Sequence, residues 1–207
     1  MIKFSFSSKV KIIPWIGKRY GNGIFTKRIL IVGESHYNNG QRIIGKNLLS
    51  LTNDIIIESQ IDQDWKGRFY TNIVASIIGH IPTSDERIEF WNSIAFYNFI
   101  QNASIAKPGI APSSEMLIES LVPFEEVIYR IMPELIIIYS YRICDSFLNN
   151  LPTEILKPTK GKNGFFAYYQ LEEKSIPIIR VQHASRGFSS LGWYPKLAKV
   201  LKKKRTP

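Results

Sequence analysis

The sequence predicts an α/β protein, a three-layer α/β/α sandwich with a short, mainly parallel sheet at its centre. Short aliphatic runs without polar interruption, such as residues 29–32 and 135–138, are typical of strands buried on both faces. These runs alternate along the chain with helical segments, as expected when helices cover both faces of a parallel sheet. Because 207 residues suffice for one sizeable core and no boundary is visible, we expect one domain over residues 1–207.

The composition indicates a basic, intracellular protein. Lys and Arg number 27 against 17 Asp and Glu, a net charge of +10, and a basic surface is typical of proteins that bind phosphate in nucleic acid or anionic lipid. The single cysteine, Cys144, excludes an intrachain disulfide and a cysteine-rich zinc site, and it fits a reducing cytoplasm. No apolar run approaches the roughly 20 residues of a membrane span and no secretory signal is recognisable, so we expect a cytoplasmic protein with no membrane partner.

The first predicted elements are a basic arm and a buried strand. Residues 1–28 mix cationic with aromatic residues and are interrupted by Gly and Pro, which predicts an irregular arm packed against the body. Cations interleaved with rings also suit nucleic acid. The strand at 29–32 ends at Gly33, and four polar residues follow directly: Glu34, Ser35, His36 and Tyr37. Because ligands bind outside the carboxyl ends of strands in open α/β sheets, this cluster predicts one wall of a site.

The middle of the chain continues the alternation of helices and strands. Residues 44–60 have no clean period and are compatible with a helix or a lid, whereas residues 65–79 have helical spacing and end at Gly79. Aromatic and branched residues over 90–99 predict a second core strand that ends close to Asn98. Ser113 or Ser114 can cap the next helix, in which Pro123 marks a kink or a break.

The last part of the chain leads to a further polar cluster. Its pattern predicts a buried strand at 135–139, a helix from 141 to 148, a basic mobile loop at 157–164, an edge strand at 165–171, a strand at 176–181, and a final helix followed by the basic tail 202–207. The strand at 176–181 stops just before His183. If successive strands run parallel, the cluster at 34–37, Asn98 and residues 183–186 gather at one edge of the sheet.

These strand ends resemble the motifs of the uracil-DNA glycosylase superfamily. Gly33-Glu34-Ser35-His36-Tyr37 looks like the first motif, a Gly followed by short polar residues at the end of the first core strand. Ile94-Ala95-Phe96-Tyr97-Asn98 is similar to the strand whose terminal Asn reads the Watson-Crick edge of a flipped base. Residues 183–190, His-Ala-Ser-Arg-Gly-Phe-Ser-Ser, resemble the final motif of His, Pro, Ser and a loop that enters the minor groove. The three motifs follow the family's order and span most of the chain.

The motifs depart from the family pattern at three positions. Ser35 stands where the best-studied branch has the Asp that positions water, His36 where a Pro often follows, and Ala184 where the last motif has Pro. The fold that the resemblance implies depends less on these positions than uracil excision does, because the water-positioning residue is among them. The base that is removed is therefore left open, and a base other than uracil, such as a modified cytosine of phage DNA, is an alternative.

The resemblance implies a role for each motif residue. Glu34 or, second, His36 is expected to orient or activate water, and His183 to donate a hydrogen bond to O2 of the pyrimidine as negative charge develops there. The expected base-binding residues are Gly33, Ser35, Tyr37 and Asn98, of which Asn98 reads the base edge. The expected DNA contacts are Ser185, Arg186, Phe188 and Ser189, with Phe188 as a wedge between bases. Ordinary packing also explains Tyr37 and Phe188.

Three functions compete on these observations. The first is a monofunctional DNA base glycosylase without cofactor or metal, a monomer that acts on uracil or a modified pyrimidine in single- or double-stranded DNA, in repair or in phage defence. The second is a non-cleaving binding module of the same fold, which Ser35 favours. The third is a metal-dependent hydrolase with Glu34, His36 and His183 as ligands, although their spacing is not diagnostic. No lysine is marked as a Schiff-base nucleophile, so strand-nicking lyase chemistry is not expected.

Overall fold

The protein is described by a computed structural model over residues 4–37, 47–63, 67–102, 110–159, 165–185 and 187–201. Within these ranges the strands are β1 (Trp15–Ile16), β2 (Ile29–Gly33), β3 (Ala95–Asn98), β4 (Leu135–Ile138), β5 (Leu156–Pro158), β6 (Ala167–Leu171) and β7 (Lys174–Arg180). The helices are α1 (Leu51–Ile56), which continues as a π-helical turn (Ile57–Ile61), α2 (Arg68–Ile78), α3 (Ser84–Ser93), α4 (Ser114–Glu119), α5 (Leu121–Ile131), α6 (Tyr141–Asn150) and α7 (Ser190–Ala198).

The described strands form one sheet in the order β1-β3-β2-β4-β7-β6-β5. The four strands at its centre, β3, β2, β4 and β7, run parallel to one another. β1 pairs with β3, β6 with β7 and β5 with β6, all antiparallel. The predicted mixed α/β class is confirmed. Gly33 is paired with Asn98 in the register of β2 and β3, so these two strands end level with each other.

Two apolar clusters cover the two faces of the sheet. Ile29 and Ile31 lie in the first cluster together with residues of α2 and α7, whereas Leu30 and Val32 lie in the second together with residues of α5 and α6. Successive side chains of a strand point to opposite faces, so a strand covered on both sides needs apolar residues at every position. This is why β2 is a continuous aliphatic run.

Several predicted elements are confirmed with small changes of boundary. The helix expected at 65–79 is α2, which ends at Gly79 in the left-handed region at φ 95°. A Cβ at this position would also lie 2.7 Å from the ring of Tyr194, so both backbone and packing favour glycine. Ser113 caps α4 by accepting a hydrogen bond from the amide of Met116. The break expected near Pro123 falls at Ser120, between α4 and α5.

The prediction of a strand over residues 90–99 is wrong for its first half. Phe90 and Trp91 belong to α3, and the strand covers only Ala95–Asn98. The helix is fixed at its start by a capping box, in which the Thr83 hydroxyl accepts from the Glu86 amide and the Glu86 carboxylate accepts from the Thr83 amide. Both aromatic side chains are fully buried from the helix, so their size and burial did not distinguish a helix from a strand.

Two predictions about the far side of the sheet are also wrong. Part of the loop expected at 157–164 forms strand β5, and residues 160–164 lie outside the described ranges. Because β5 pairs with β6, the strand expected at the edge over 165–171 has neighbours on both sides. The edge position instead falls to β5, which carries Pro158, and proline is tolerated in a strand chiefly at a sheet edge.

The sequence predicted an irregular arm over residues 1–28, a helix or a lid over 44–60, and a basic tail over 202–207. The described part of the arm is irregular except for β1, and the Glu126 carboxylate holds it by accepting hydrogen bonds from the amide and hydroxyl of Ser7. Residues 47–50 lead into α1, and the rest of this segment forms α1 and most of its π-helical extension. Residues 44–46 and the tail 202–207 lie outside the described ranges. None of the described helices is long and apolar enough to cross a membrane.

Candidate functional site

The carboxyl ends of β2 and β3 meet at Gly33 and Asn98. A Cβ on Gly33 would lie 2.4 Å from Oδ1 of Asn98 and 3.4 Å from the ring of Phe69. No side chain fits in that space, so glycine at this position allows the Asn98 amide to lie directly over the end of β2. The amide itself is 3% exposed. The sequence-predicted pair of Gly33 and Asn98 is therefore in direct contact.

His36 is buried beside the same amide. The Asn98 amide nitrogen lies 3.0 Å from Nε2 and 3.3 Å from Nδ1 of the imidazole, and the Thr52 hydroxyl lies 2.8 Å from Nε2. Burial lowers the pKa of His36 to about 4, so the ring is neutral at neutral pH and can accept a hydrogen bond from the Asn98 amide. His36 thereby fixes which way the amide of Asn98 faces.

Glu34 is a buried carboxylate whose two oxygens are both bound. Its side chain is 3% exposed; the hydroxyl of Ser140 donates to Oε2 at 2.7 Å, and Nη1 of Arg142 donates to Oε1 at 2.6 Å. Ser140 is also the N-cap of α6, where its hydroxyl accepts from the amide of Ile143 at 3.3 Å. The carboxylate at the end of β2 is thus held by the residues that start the helix after β4.

His183 follows β7 at the same edge of the sheet. Its ring lies against Phe69, with ring centroids 5.0 Å apart and an interplanar angle of 36°. Burial lowers the pKa of His183, the negative charge of Glu34 opposes that shift, and the positive charge of Arg142 adds to it. No described residue hydrogen-bonds the imidazole, whereas the neighbouring carbonyl of Ala184 accepts from the Asn72 side chain at 3.0 Å. Among the described residues, His183 is therefore positioned by packing against Phe69.

Tyr37 is half-buried near Glu34 and Tyr70. Burial raises the pKa of Tyr37, and the charge of Glu34 adds to the rise, whereas the Ser35 hydroxyl opposes it. Burial also raises the pKa of Tyr70, and proximity to Tyr37 adds to that rise. The phenol of Tyr37 thus belongs to the same electrostatic environment as the buried carboxylate and remains protonated at neutral pH.

The predicted DNA contacts have diverse surroundings in the loop before α7. Ser185 is exposed, and its amide donates to the carbonyl of His183 at 2.8 Å. Ser189 is exposed and caps α7 by accepting from the amide of Gly192 at 3.1 Å. Phe188 is half-buried, with its ring 6.1 Å from that of Tyr139 in an edge-on contact. Packing accounts for this ring as it stands, and its role as a wedge stays a prediction.

One predicted DNA contact, Arg186, lies outside the described ranges.

No protein-family model and no curated protein matches this chain. Its function is therefore inferred from the arrangement of its own side chains.

In the described part of the chain, no three His, Cys, Asp or Glu side chains come together as a metal-binding set. The carboxylate and imidazoles considered as ligands instead contact amide, hydroxyl, guanidinium and aromatic groups.

Four residues of the site were not singled out from the sequence. Ser140 and Arg142 follow the buried strand β4, so the strand-end rule that found Glu34 and Asn98 also identifies them. The contact of Phe69 with His183 depends on the placement of α2 against the end of β7. Thr52 lies in a segment without clean periodicity, where no sequence signal points to a site.

Proposed function

We propose that this protein is a monofunctional DNA base glycosylase that removes uracil or a modified pyrimidine and leaves an abasic site. We further propose that its sheet and helices form the three-layer arrangement of the uracil-DNA glycosylase superfamily. The parallel centre of the sheet and the apolar clusters on both faces support this interpretation. The positions of the three motifs at the ends of β2, β3 and β7 support it independently.

The observation that carries the proposal is the convergence of an oriented amide, a neutral imidazole and a buried carboxylate at one sheet edge. Asn98 presents both a donor and an acceptor, and His36 fixes its orientation, which suits the reading of a pyrimidine edge. His183 has ring nitrogens free of described partners and lies within electrostatic reach of Glu34. In this proposal a flipped base is read by Asn98 and receives a hydrogen bond from His183.

The proposed reaction replaces the glycosidic bond with a bond to water. As the bond between the base and C1′ of the sugar breaks, its electron pair leaves with the base, and neutral His183 donates a hydrogen bond to O2, where the charge accumulates. The oxygen of water bonds to C1′, and the proton that the water loses balances the one that the departing base takes up. Glu34 orients this water and stabilises the positive charge that develops on the sugar.

His36 receives a supporting role in this proposal. Its burial, its low pKa and its contacts with Asn98 and Thr52 suit a neutral group that positions another residue. His36 is a weak base because burial lowers its pKa to about 4, and its ring already contacts the Asn98 amide and the Thr52 hydroxyl. We therefore assign water orientation to Glu34 and amide orientation to His36.

A binding module of the same fold is the second candidate, and one observation favours it. Both oxygens of Glu34 are already bound, by Ser140 and Arg142, and Ser35 stands where the best-studied glycosylases have an Asp. A carboxylate held in this way contributes charge more readily than it accepts a proton. Such a module would recognise DNA or a modified base without cleaving it.

Alkali-induced cleavage of labelled oligonucleotides distinguishes the two candidates. Single strands and duplexes carrying uracil or a modified pyrimidine are incubated with the wild type, Asn98→Ala and His183→Ala. We expect abasic sites with the wild type and a loss of roughly 100-fold or more in each variant. His80→Ala is the matched control, because His80 is exposed at the other end of α2 and pairs with Glu86. DNA binding without abasic product would support the binding module, and absence of both would contradict both candidates.

A further inference from the structure

The guanidinium group of Arg142 binds a buried carboxylate, yet the Arg142 side chain itself is half exposed. One of its nitrogens, Nη1, donates to the Glu34 carboxylate at 2.6 Å, yet the Arg142 side chain is 51% exposed. Among the described residues, Glu34 is its only hydrogen-bond partner. Guanidinium has five N–H donors in a planar fork, so the half-exposed side chain keeps donors that no described residue accepts from.

The neighbouring arginine at this edge is satisfied differently. Arg180 ends β7 and forms an ion pair with the Asp145 carboxylate, with 3.0 Å between the charged atoms. Its guanidinium also lies over the ring of Tyr141, 4.4 Å from the centroid, and 5.5 Å from the ring centroid of Phe166. These contacts occupy both its charge and its face. Arg142 is thus the arginine of this pair with donors still available to a ligand.

We propose that Arg142 binds a backbone phosphate of DNA with the outward donors of its guanidinium while it holds Glu34 with the inward one. This inference rests on the proposed function and names the residue that joins DNA docking to the carboxylate. A planar fork can serve a carboxylate and a phosphate at the same time, which a lysine ammonium cannot do with the same geometry. The net charge of +10 fits a polyanionic partner.

The consequence is that Arg142 is a positioning residue as well as a DNA contact. A phosphate bound to its outer edge would fix the guanidinium, and the guanidinium would fix Glu34 through Oε1. The Ser140 hydroxyl holds the other oxygen from the protein side. DNA bound in the correct register would thus add a further restraint on the carboxylate through Arg142.

The salt dependence of DNA binding tests the phosphate contact. The probe is a labelled duplex with a tetrahydrofuran abasic analogue, which resembles the product and is not cleaved. The full chain is compared with Arg142→Gln, Arg142→Lys and, as the matched control, Arg28→Gln, which removes an arginine paired with Glu134 at the opposite end of β2. We expect Arg142→Gln to reduce the slope of log K against log salt by about one, while Arg28→Gln leaves it unchanged.

Phosphate substitution locates the contact and remains informative if Arg142→Gln does not fold. Each phosphate near the analogue is replaced in turn by a neutral methylphosphonate. One replacement should weaken wild-type binding roughly tenfold and have little further effect on an Arg142 variant. On any substrate that the wild type cleaves, Arg142→Lys should lower the maximal rate more than it weakens binding. Restoration of both properties by lysine would overturn the shared contact.

The possible failures have separate signatures. Abasic-site formation by the wild type together with an unchanged salt slope in Arg142→Gln would overturn the phosphate contact and leave the glycosylase proposal intact. An equal change of slope in Arg28→Gln would overturn it as well, because the effect would then reflect net charge alone. Absence of both DNA binding and cleavage by the wild type would overturn the inference together with the proposed function.

Discussion

The two ends of strands β2 and β4 carry the same pair of residue types in very different environments. At the amino end, Arg28 precedes β2 and Glu134 precedes β4; their charged atoms are 3.4 Å apart, and the side chains are 38% and 49% exposed. At the carboxyl end, Glu34 follows β2 and Arg142 lies just after β4; their atoms are 2.6 Å apart, and Glu34 is 3% exposed. One pair is a surface contact, and the other holds a buried charge.

The two pairs differ in what they cost and contribute energetically, because one is solvated and the other includes a buried charge. An exposed pair contributes little to stability because water and salt screen it. A buried carboxylate costs free energy to desolvate, and well-packed apolar residues in its place are often as stable or more so. Stability alone therefore does not explain Glu34, and the proposed role in orienting water would explain it. The pair of Arg28 and Glu134 needs no such role.

The largest expected contrast is the dependence of stability on pH at the carboxyl end. Burial lowers the pKa of His36 from 6.5 to about 4, so the unfolded state binds more protons between these values. The stabilisation from neutral His36 is complete above about pH 6.5 and is lost as the pH falls towards 4, a loss of roughly 3 kcal/mol. Urea unfolding of the wild type and His36→Gln at several pH values measures it. If both proteins lose stability equally over this range, the buried neutral state of His36 is wrong.

The next contrast concerns the space above Gly33. In Gly33→Ala the new methyl group would meet Oδ1 of Asn98 at 2.4 Å, so the amide must move. We expect a loss of about 1–3 kcal/mol in the free energy of unfolding and a loss of activity on any substrate that the wild type cleaves. Gly192→Ala is the control, since its methyl group would meet only the Ser189 side chain, at 3.0 Å from Oγ and 3.4 Å from Cβ. Full activity of Gly33→Ala would contradict the role assigned to the Asn98 amide.

The smallest expected difference is in the stability lost on replacing Arg142 and on replacing Arg28. Arg142→Ala leaves the Glu34 carboxylate with Ser140 as its only described partner, and because Arg142 is half-exposed we expect a cost of about 1–3 kcal/mol. Arg28→Ala should cost less than about 1 kcal/mol. Chemical denaturation at low and high salt measures both, and salt should reduce the Arg28 effect more. Equal costs would remove the distinction between the two ends of the sheet.

The sequence predicted the central elements because their physical signals are local. β2 and β4 are buried on both faces, so each is an unbroken aliphatic run, and α2 has regular apolar spacing with a glycine at its end. Phe90 and Trp91 gave the wrong element because large aromatic side chains are buried equally well from a helix. The capping box at Thr83 and Glu86 was the local signal that could have corrected this interpretation.

The site was predicted where side chains follow strand ends and missed where tertiary packing supplies them. Glu34, His36 and Asn98 were expected together and lie together. Arg142 reaches Glu34 from a separate helix, and Thr52 reaches His36 from α1. The strand-end rule places Arg142 near this edge of the sheet, but its partner depends on how α6 packs. Thr52 has no such signal, because its contact depends on how α1 packs.

The Ser140 hydroxyl links two parts of the chain that are 106 positions apart. It accepts from the Ile143 amide as the cap of α6 and donates its only proton to Glu34. Among the usual capping residues, aspartate can accept but has no proton to donate when ionised, and it would repel a second carboxylate. Glutamate after the first core strand therefore requires a cap that both accepts and donates, such as Ser, Thr or Asn. Without that acid, aspartate would serve equally well as the cap of this helix.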